Sequence, residues 1–424
     1  MNSFIEKTRL IFSDPILRKR IFVTLLLLAA FRFLAAIPIP DVDVSKLGAF
    51  FGSNQLLGLV NIFTGGGLSK LSIVMLAVGP YITASIIMQL LTILSPKLKS
   101  LYQEEGELGR KKFSQYSRML TVPLAFVQGW GFIVLLERSG VVSIVGSFAL
   151  IRDLFIITAG SMFLVWIGER ISEFGLGNGT SLIIFAGIVA NLPSTVGQFL
   201  YTFDVSQIPL IAAMLVAILI VIYAVVVITE AERPIPVTYA KRVRGNKVYG
   251  GVSTYIPLRL NQAGVIPIIF ALSILLFPQM IFQFLAKTVS NAVVVNISQW
   301  VLNVLQNQLI YAVIYFIFVF VFTYFYTAVT FDPNMISENL QKNGAFIPGV
   351  RPGQPTAIYI SKILTRITAF GALFLGIIAI LPLIIKYFSG VSAFAIGGTA
   401  LLIVVSVIID LIRKTEAQIS MKEY

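Results

Sequence analysis

Residues 71–94 read LSIVMLAVGPYITASIIMQLLTIL, a stretch without one charged side chain. A helix needs about 20 mainly apolar residues to cross the roughly 30 Å hydrocarbon core of a bilayer. This stretch is long enough, and the chain repeats the pattern. Hydrophobic residues make up 57% of its 424 residues, charged residues 12%, and the mean hydropathy is +0.90. Soluble domains carry about 25% charged residues. The composition therefore describes a polytopic membrane protein.

Working outward from 71–94, apolar runs between charged or Gly/Pro breaks give ten candidate spans. The first half holds 21–37, 71–94, 116–136, 153–171 and 181–193, and the second holds 208–229, 262–285, 309–331, 363–386 and 394–412. The run after "DPILRKR" (14–20) has no small-residue cleavage site and reads as a retained first span rather than a signal peptide. The chain divides into a basic N-terminal segment (1–20), a first half (21–200), a second half (201–412) and a C-terminal tail (413–424).

Lys and Arg orient the spans, because cytoplasmic loops hold the excess of basic charge. Segment 95–118 contains Lys97, Lys99, Arg110, Lys111, Lys112 and Arg118, and segment 230–260 contains Arg233, Lys241, Arg242, Arg244, Lys247 and Arg259. Both fall on the side of the two termini, which places the termini in the cytoplasm. Topology and contact with anionic lipid account for charges near helix ends. Loops as long as 230–260 and 332–362 are uncommon unless functional or disordered. "RPIPVTYAKRV" and "VYGGVSTYIPL" predict short strands in the first of them, and together the loops suggest a basic docking platform.

The stretch 55–63 (Gln55, Leu56, Leu57, Gly58, Leu59, Val60, Asn61, Ile62, Phe63) is apolar but too short to cross. It reads either as an amphipathic helix at the outer surface or as a half-helix that stoppers a funnel. In the latter case it must face protein or water.

"VGPYITA" (78–84) and "VIPIIFA" (265–271) match at Val78/Val265, Pro80/Pro267, Ile82/Ile269 and Ala84/Ala271, in the second span of each half. The match predicts an inverted repeat of five spans, with the functional site between the halves near mid-membrane. Prolines in both spans predict bending there.

The missing residues narrow the function. No Cys or His occurs, which excludes disulfides, thiolate nucleophiles and histidine-based acid–base or metal chemistry. No Gly-Lys-Ser/Thr sequence occurs, and "GLGNGT" (175–180) reads as a loop between spans rather than a phosphate site. Ion-coupled transporters keep an acidic group inside a span, whereas Glu137, Asp153, Glu169, Glu230, Asp332 and Asp410 lie at span ends. An intramembrane protease needs a base or a second acid beside its nucleophile, and Ser161 and Ser273 have none in the sequence pattern. What remains at the centre is Ile and Val, suited to a constriction that gates by dewetting and equally suited to packing.

At this point the chain resembles the SecY/Sec61α family, in its bacterial form. The residues that carry the resemblance are "EGELGRKKFSQYSR" (105–118), "ISEFGLGNGTSLIIFAGIVANLP" (171–193), "VTYAKR" (237–242), "NQAGVIPIIFA" (261–271), "FIPGVRPGQPTAIYI" (346–360) and "GGTALLIVV" (397–405). The resemblance implies an all-α membrane protein of ten transmembrane helices in two pseudo-symmetric halves. It implies a polypeptide channel, not an enzyme, with no cofactor. By position, its apolar pore ring would be Val78, Ile82, Ile184, Ile188, Ile269 and Ile403, and its plug would be 55–63. A lateral gate toward lipid would run between the second and seventh spans, with Pro80, Thr83, Ser85, Gln89 and Thr92 facing Asn261, Gln262 and Pro267. Arg242, Arg244, Lys247 and Arg351 would dock a SecA motor or the ribosome; "EAERPIP" (230–236) departs from the family in carrying a single Arg there. SecE-like and SecG-like subunits, signal peptides and unfolded polypeptides are the other implied partners, in a bacterial inner membrane.

Overall fold

The computed structural model describes residues 14–40, 61, 64, 66–68, 70–103, 105–138, 146–201, 208–239, 242–244, 247–249, 253–289, 291–389 and 397–423. It is helical along most of that length. Helix α1 (Pro15–Leu34) starts where Asp14 accepts a hydrogen bond from Ile16 N at 3.0 Å and Pro15 fills the first turn, as expected of a cap residue followed by proline. Then follow α2 (Gly79–Leu94), α3 (Pro96–Gln103), α4 (Gly106–Arg138), α5 (Ser147–Phe174), α6 (Gly179–Tyr201) and α7 (Ile208–Glu230). The strands are β1 (Glu232–Tyr239), β2 (Arg242–Arg244), β3 (Lys247–Tyr249) and β4 (Ser253–Arg259). Helices α8 (Ile266–Thr288), α9 (Ala292–Gln306), α10 (Gln308–Thr330) and α11 (Pro333–Lys342) precede β5 (Ala345–Phe346), and α12 (Gln354–Ser389) and α13 (Gly397–Glu423) close the order.

Each of the ten apolar segments overlaps a helix. Among the described residues, Phe148–Phe174, Gln308–Lys342 and Gln354–Ile385 are long and apolar enough to cross a membrane alone. The pair Gly79–Leu94 and Pro96–Tyr102, bent by 118°, makes a fourth if it counts as one span. Gly179–Pro193, Leu215–Glu230 and Ile266–Leu275 are apolar but shorter.

Two expectations need correction. Residues 71–78 are turns, not the first part of a spanning helix, and Leu71 and Ala77 sit at positive φ. In addition, Pro80 and Pro267 bend no helix interior, because each occupies the first turn of its helix. Proline is welcome there, since its missing N–H would find no partner in any case. The segment between the seventh and eighth candidates contains α9. Asn291 caps α9 at Val293 N, and Asn307 caps α10 at Leu309 N.

The largest apolar core joins α1, α2, α5, α6, α7, α8, α9, α10, α12 and α13. A second, around Leu68, Met75, Phe132 and Ile157, packs the turns of 71–78 against α4 and α5. There Gly160 of α5 runs against the Ile73 carbonyl, with no room for a Cβ. The short strands read into 230–260 are present, as an antiparallel β1–β4 pair and the hairpin β2–β3. Unforeseen from the sequence, β5 adds to β1 through Thr238↔Phe346 and Tyr239↔Ala345. The two long loops therefore form one sheet, β4-β1-β5, over the apolar residues Ile235, Val237, Leu258 and Ile347.

Candidate functional site

The repeated heptapeptides begin α2 and α8 in the same way. Val78 caps α2 at φ −91°, ψ 7°, and Val265 caps α8 at φ −93°, ψ −7°. Pro80 and Pro267 follow two residues later, and Ala84 and Ala271 are fully buried. Neither cap makes a side-chain hydrogen bond, so proline geometry and packing of the small alanines fix the start. This carries Ile82 and Ile269 to the same place in the first turn of each helix. The two helices touch directly.

Helix α6 contributes Ile184 and Ile188, four apart and so on one face. Its start is set by Asn178, which accepts from Thr180 N at 3.1 Å and Ser181 N at 3.3 Å. "GLGNGT" is thus a capped loop between helices, as its composition predicted. Gly179 lies on the Gly168 carbonyl of α5, closer than any Cβ would permit. Ile403 comes from α13.

The six residues Val78, Ile82, Ile184, Ile188, Ile269 and Ile403 all fall in the largest apolar core. Val78, Ile184, Ile188 and Ile403 are at most 3% exposed, while Ile82 and Ile269 are half-buried. Burial does not set them apart from the rest of that core. Ile82, Ile184 and Ile269 are distinguished by also lining a cavity of about 1010 Å³ between α2, α4, α5, α6, α8 and α10.

That cavity grades from charge to hydrocarbon. Its wall carries Glu107, Lys111, Lys112, Arg118, Glu169, Arg170 and Glu173, with Ser85, Gln89, Ser172 and Ser181 among the other lining residues. Arg118 of α4 donates to Glu169 of α5 at 2.9 Å, tying two walls together. The sequence offered no signal for this pair, whose members stand 51 residues apart.

The polar residues expected along the α2–α8 seam are mostly occupied within their own helix. Thr83 donates to Gly79 O at 3.1 Å, Gln89 to Ser85 Oγ at 3.3 Å, and Thr92 to Gln89 O at 2.6 Å. Gln89 Oε1, Asn261 Oδ1 and Gln262 Nε2 are buried without a hydrogen-bond partner among the described residues. Each such orphan costs roughly 1–3 kcal/mol. The backbone at Leu260–Asn261 lies against Gly371 of α12, where a side chain would collide.

Of the stretch 55–63, read from the sequence as a surface helix or a stopper, only Asn61 belongs to the described residues. Its carbonyl accepts from Gly66 N at 2.8 Å and Thr64 Oγ1 at 3.1 Å, and Gly66 abuts Asn191 of α6. The chain leaving the stretch is therefore seated against α6.

Arg242 and Arg244 lie on β2 and Lys247 on β3, with Arg244 in register opposite Lys247. Arg351 is exposed, on a loop that is tied down. Gly349 (φ 82°) and Gly353 (φ 93°) supply left-handed turns on either side of it. Thr356 Oγ1 donates to the Arg351 carbonyl at 2.8 Å, and Ser337 Oγ of α11 to the Gly353 carbonyl at 2.6 Å. Among the described residues no cluster of acidic side chains could hold a metal ion.

Comparison with known proteins agrees with this architecture. The SecY family model matches residues 72–412. The chain is 42% identical to the protein translocase subunit SecY of Thermotoga maritima, over 97% of this chain and 95% of that one. It is 41% identical to that of Aquifex aeolicus, over 99% and 98%, and 41% to that of Pseudomonas aeruginosa, over 94% and 90%. Among solved structures, a SecY channel studied for its plug domain superposes with a TM-score of 0.65 at 18% identity, over 94% of this chain and 92% of that one. Sec61 in the canine ribosome–channel complex gives 0.60 at 17%, with the same coverage.

Proposed function

The chain belongs to the SecY family, and on that premise we infer that it is the central, channel-forming subunit of the protein translocase, an integral membrane protein that conducts unfolded polypeptides and catalyses no reaction. We further propose ten spans in two inverted halves, α1, α2, α4, α5 and α6 against α7, α8, α10, α12 and α13. The equivalent caps of α2 and α8 support this pairing. Both termini then lie in the cytoplasm, at the inner membrane of a bacterium.

One observation carries the mechanism. A charged cavity ends on Ile82, Ile184 and Ile269, within the same apolar core as Val78, Ile188 and Ile403. Branched alkyl side chains offer ions no ligand, so a closed ring of them resists wetting. They also yield to any passing side chain, because they form no directional bond. Polypeptide would enter from the charged side and part the ring, with 55–63 as a second closure from the far side. An apolar signal peptide would separate α2 from α8 and pass into lipid. The orphaned polar atoms of Gln89, Asn261 and Gln262 support a closed seam of limited stability.

The sheet formed by the two long loops, with Arg351 on the loop that follows β5, is the proposed dock for the SecA motor or the ribosome. The likeness to a ribosome-bound channel supports this. SecE-like and SecG-like subunits complete the assembly. The decisive experiment is reconstitution in liposomes with SecE and SecA, scored for ATP-dependent import of an unfolded preprotein and for ion leak at rest. We expect import, together with a tight resting channel that Ile82→Asn/Ile188→Asn/Ile403→Asn makes leaky. A triple variant as tight as the parent would sink the ring.

A further inference from the structure

Helix α9 lines neither the charged cavity nor the apolar ring, and its surface is divided three ways. At roughly 100° per residue, Val293, Ile297 and Trp300 fall along one line with half-buried Val304, and the first three are 64%, 52% and 67% exposed. Asn296, Gln299, Asn303 and Gln306 form a second exposed line, about a third of a turn away. Ser298 and Leu305 lie on the remaining face, which is buried where α9 packs on α8 and α10. An ordinary surface helix has two faces, one apolar and covered, the other polar and wet. Helix α9 adds an apolar line that the protein leaves uncovered, and nothing near it is charged. No Asp, Glu, Lys or Arg occurs from 288 to 331.

The run of the chain indicates what covers that line. Asn307 alone separates α9 from α10; extended at φ −68°, ψ 114°, it ends the one helix and caps the other. On α10, Leu309, Val313, Ile317 and Val321 stand four apart and are each at least half exposed. That is the face an apolar spanning helix turns to lipid. The uncovered line on α9 thus meets a hydrocarbon-facing surface at the corner where α10 begins.

We propose that α9 lies in the outer boundary of the bilayer, with Val293, Ile297 and Trp300 in hydrocarbon and the four amide side chains in water. Trp is enriched at that level, and helices with separate apolar and polar exposed faces lie in the plane of the interface. Such helices usually carry Lys and Arg on the polar face. Having none, α9 takes a neutral lipid surface as readily as an acidic one. Only residues 289–291 join α9 to α8, so this seat fixes the depth of the outer end of α8, one wall of the proposed lateral gate. The inference rests on the proposed topology, which puts the link between the seventh and eighth spans outside, and is independent of the pore ring.

The chain has no Cys and three Trp, so each line can be read singly in the assembled translocase, with partner subunits free of both residues. In spheroplasts, a membrane-impermeant maleimide should label Asn296→Cys and Asn303→Cys at least about tenfold faster than Val293→Cys and Ile297→Cys. A one-unit rise in thiol pKa in apolar surroundings has that effect by itself. In inverted vesicles none of the four should react. With Trp130→Phe and Trp166→Phe in nanodiscs, lipid brominated near the headgroup should quench Trp300 more than lipid brominated at the chain end. Phosphatidylcholine and phosphatidylglycerol should quench it equally. Equal, fast labelling of both lines from outside, or quenching by the acidic lipid alone, overturns the seat and leaves the topology standing. Slow labelling of both lines also overturns it, a partner protein being the cover if Trp300 is unquenched as well. Labelling from the cytoplasmic side alone would overturn the topology itself.

Discussion

At the scale of single residues, Arg351 concentrates the case for docking. Its side chain is exposed, yet its backbone is held by Thr356, Ser337 and two left-handed glycines. A partner that binds it therefore pays little ordering entropy. A charge-assisted hydrogen bond is worth roughly 1.5–3 kcal/mol, so Arg351→Glu should slow ATP-driven export at least about tenfold. Membrane insertion and resting tightness should stay normal. Arg351→Lys keeps the charge but loses the planar fork and should fall between. Export rates in inverted membrane vesicles decide the matter, and an unimpaired Glu variant would remove Arg351 from the dock. The isolation of one Arg among Pro and Gly was legible in the sequence. That the strand before its loop pairs with β1, more than a hundred residues away, was not, because β5 is two residues long and only that pairing makes it a strand.

At the scale of elements, the helices were legible because an apolar run in this composition admits one reading. Their beginnings were less so. Residues 71–78 are as apolar as those that follow, but Gly79-Pro80 starts the helix, and contact with α5 holds the preceding turns. The four matches between 78–84 and 265–271 were read as an inverted repeat with proline bends; in the structure they fall on helix starts with like caps, since cap and proline geometry are local. Contacts between elements lay beyond reach. Gly179 of α6 on the Gly168 carbonyl of α5 is one, and it leaves no space for a methyl group. Gly179→Val should thus push α6 from α5 and misplace Ile184. We expect raised ion leak and a destabilisation of about 1–3 kcal/mol, as for overpacked cores, read from the thermal midpoint in detergent. A second such contact is Lys99 of α3 with Asp332, the cap of α11, at 3.6 Å. It joins the segment after α2 to the loop that carries Arg351. With Lys99 half-exposed, its worth is about 0.2–1 kcal/mol. Lys99→Glu should modestly increase export of substrates lacking a signal peptide, and adding Asp332→Lys should reverse the gain. If the double variant is as permissive as the single one, the pair does not latch the halves.

At the scale of the whole molecule, channel opening depends on what keeps α2 beside α8. The outer faces of several helices are apolar, and they lose little by facing lipid. The seam is different: its cavity side is lined by Ile82, Ser85 and Gln89 from α2 and by Ile266 and Ile269 from α8. Gln89 Oε1 and Gln262 Nε2 are buried there without a hydrogen-bond partner among the described residues. Hydrocarbon packing thus holds a boundary that polar groups weaken, a balance that an intruding apolar helix of about 20 residues could tip. Because the chain contains no cysteine, Ser85→Cys/Ile266→Cys offers a unique pair for bis-maleimide linkers of graded length. Short linkers should block export and the release of membrane segments, and longer ones should restore export first, since a threaded chain needs less opening than a helix passing sideways. Both activities should recover fully when one of the two cysteines is omitted. Equal export and equal lipid release at every linker length would mean that the channel opens without parting these helices, and the route into lipid would have to lie elsewhere.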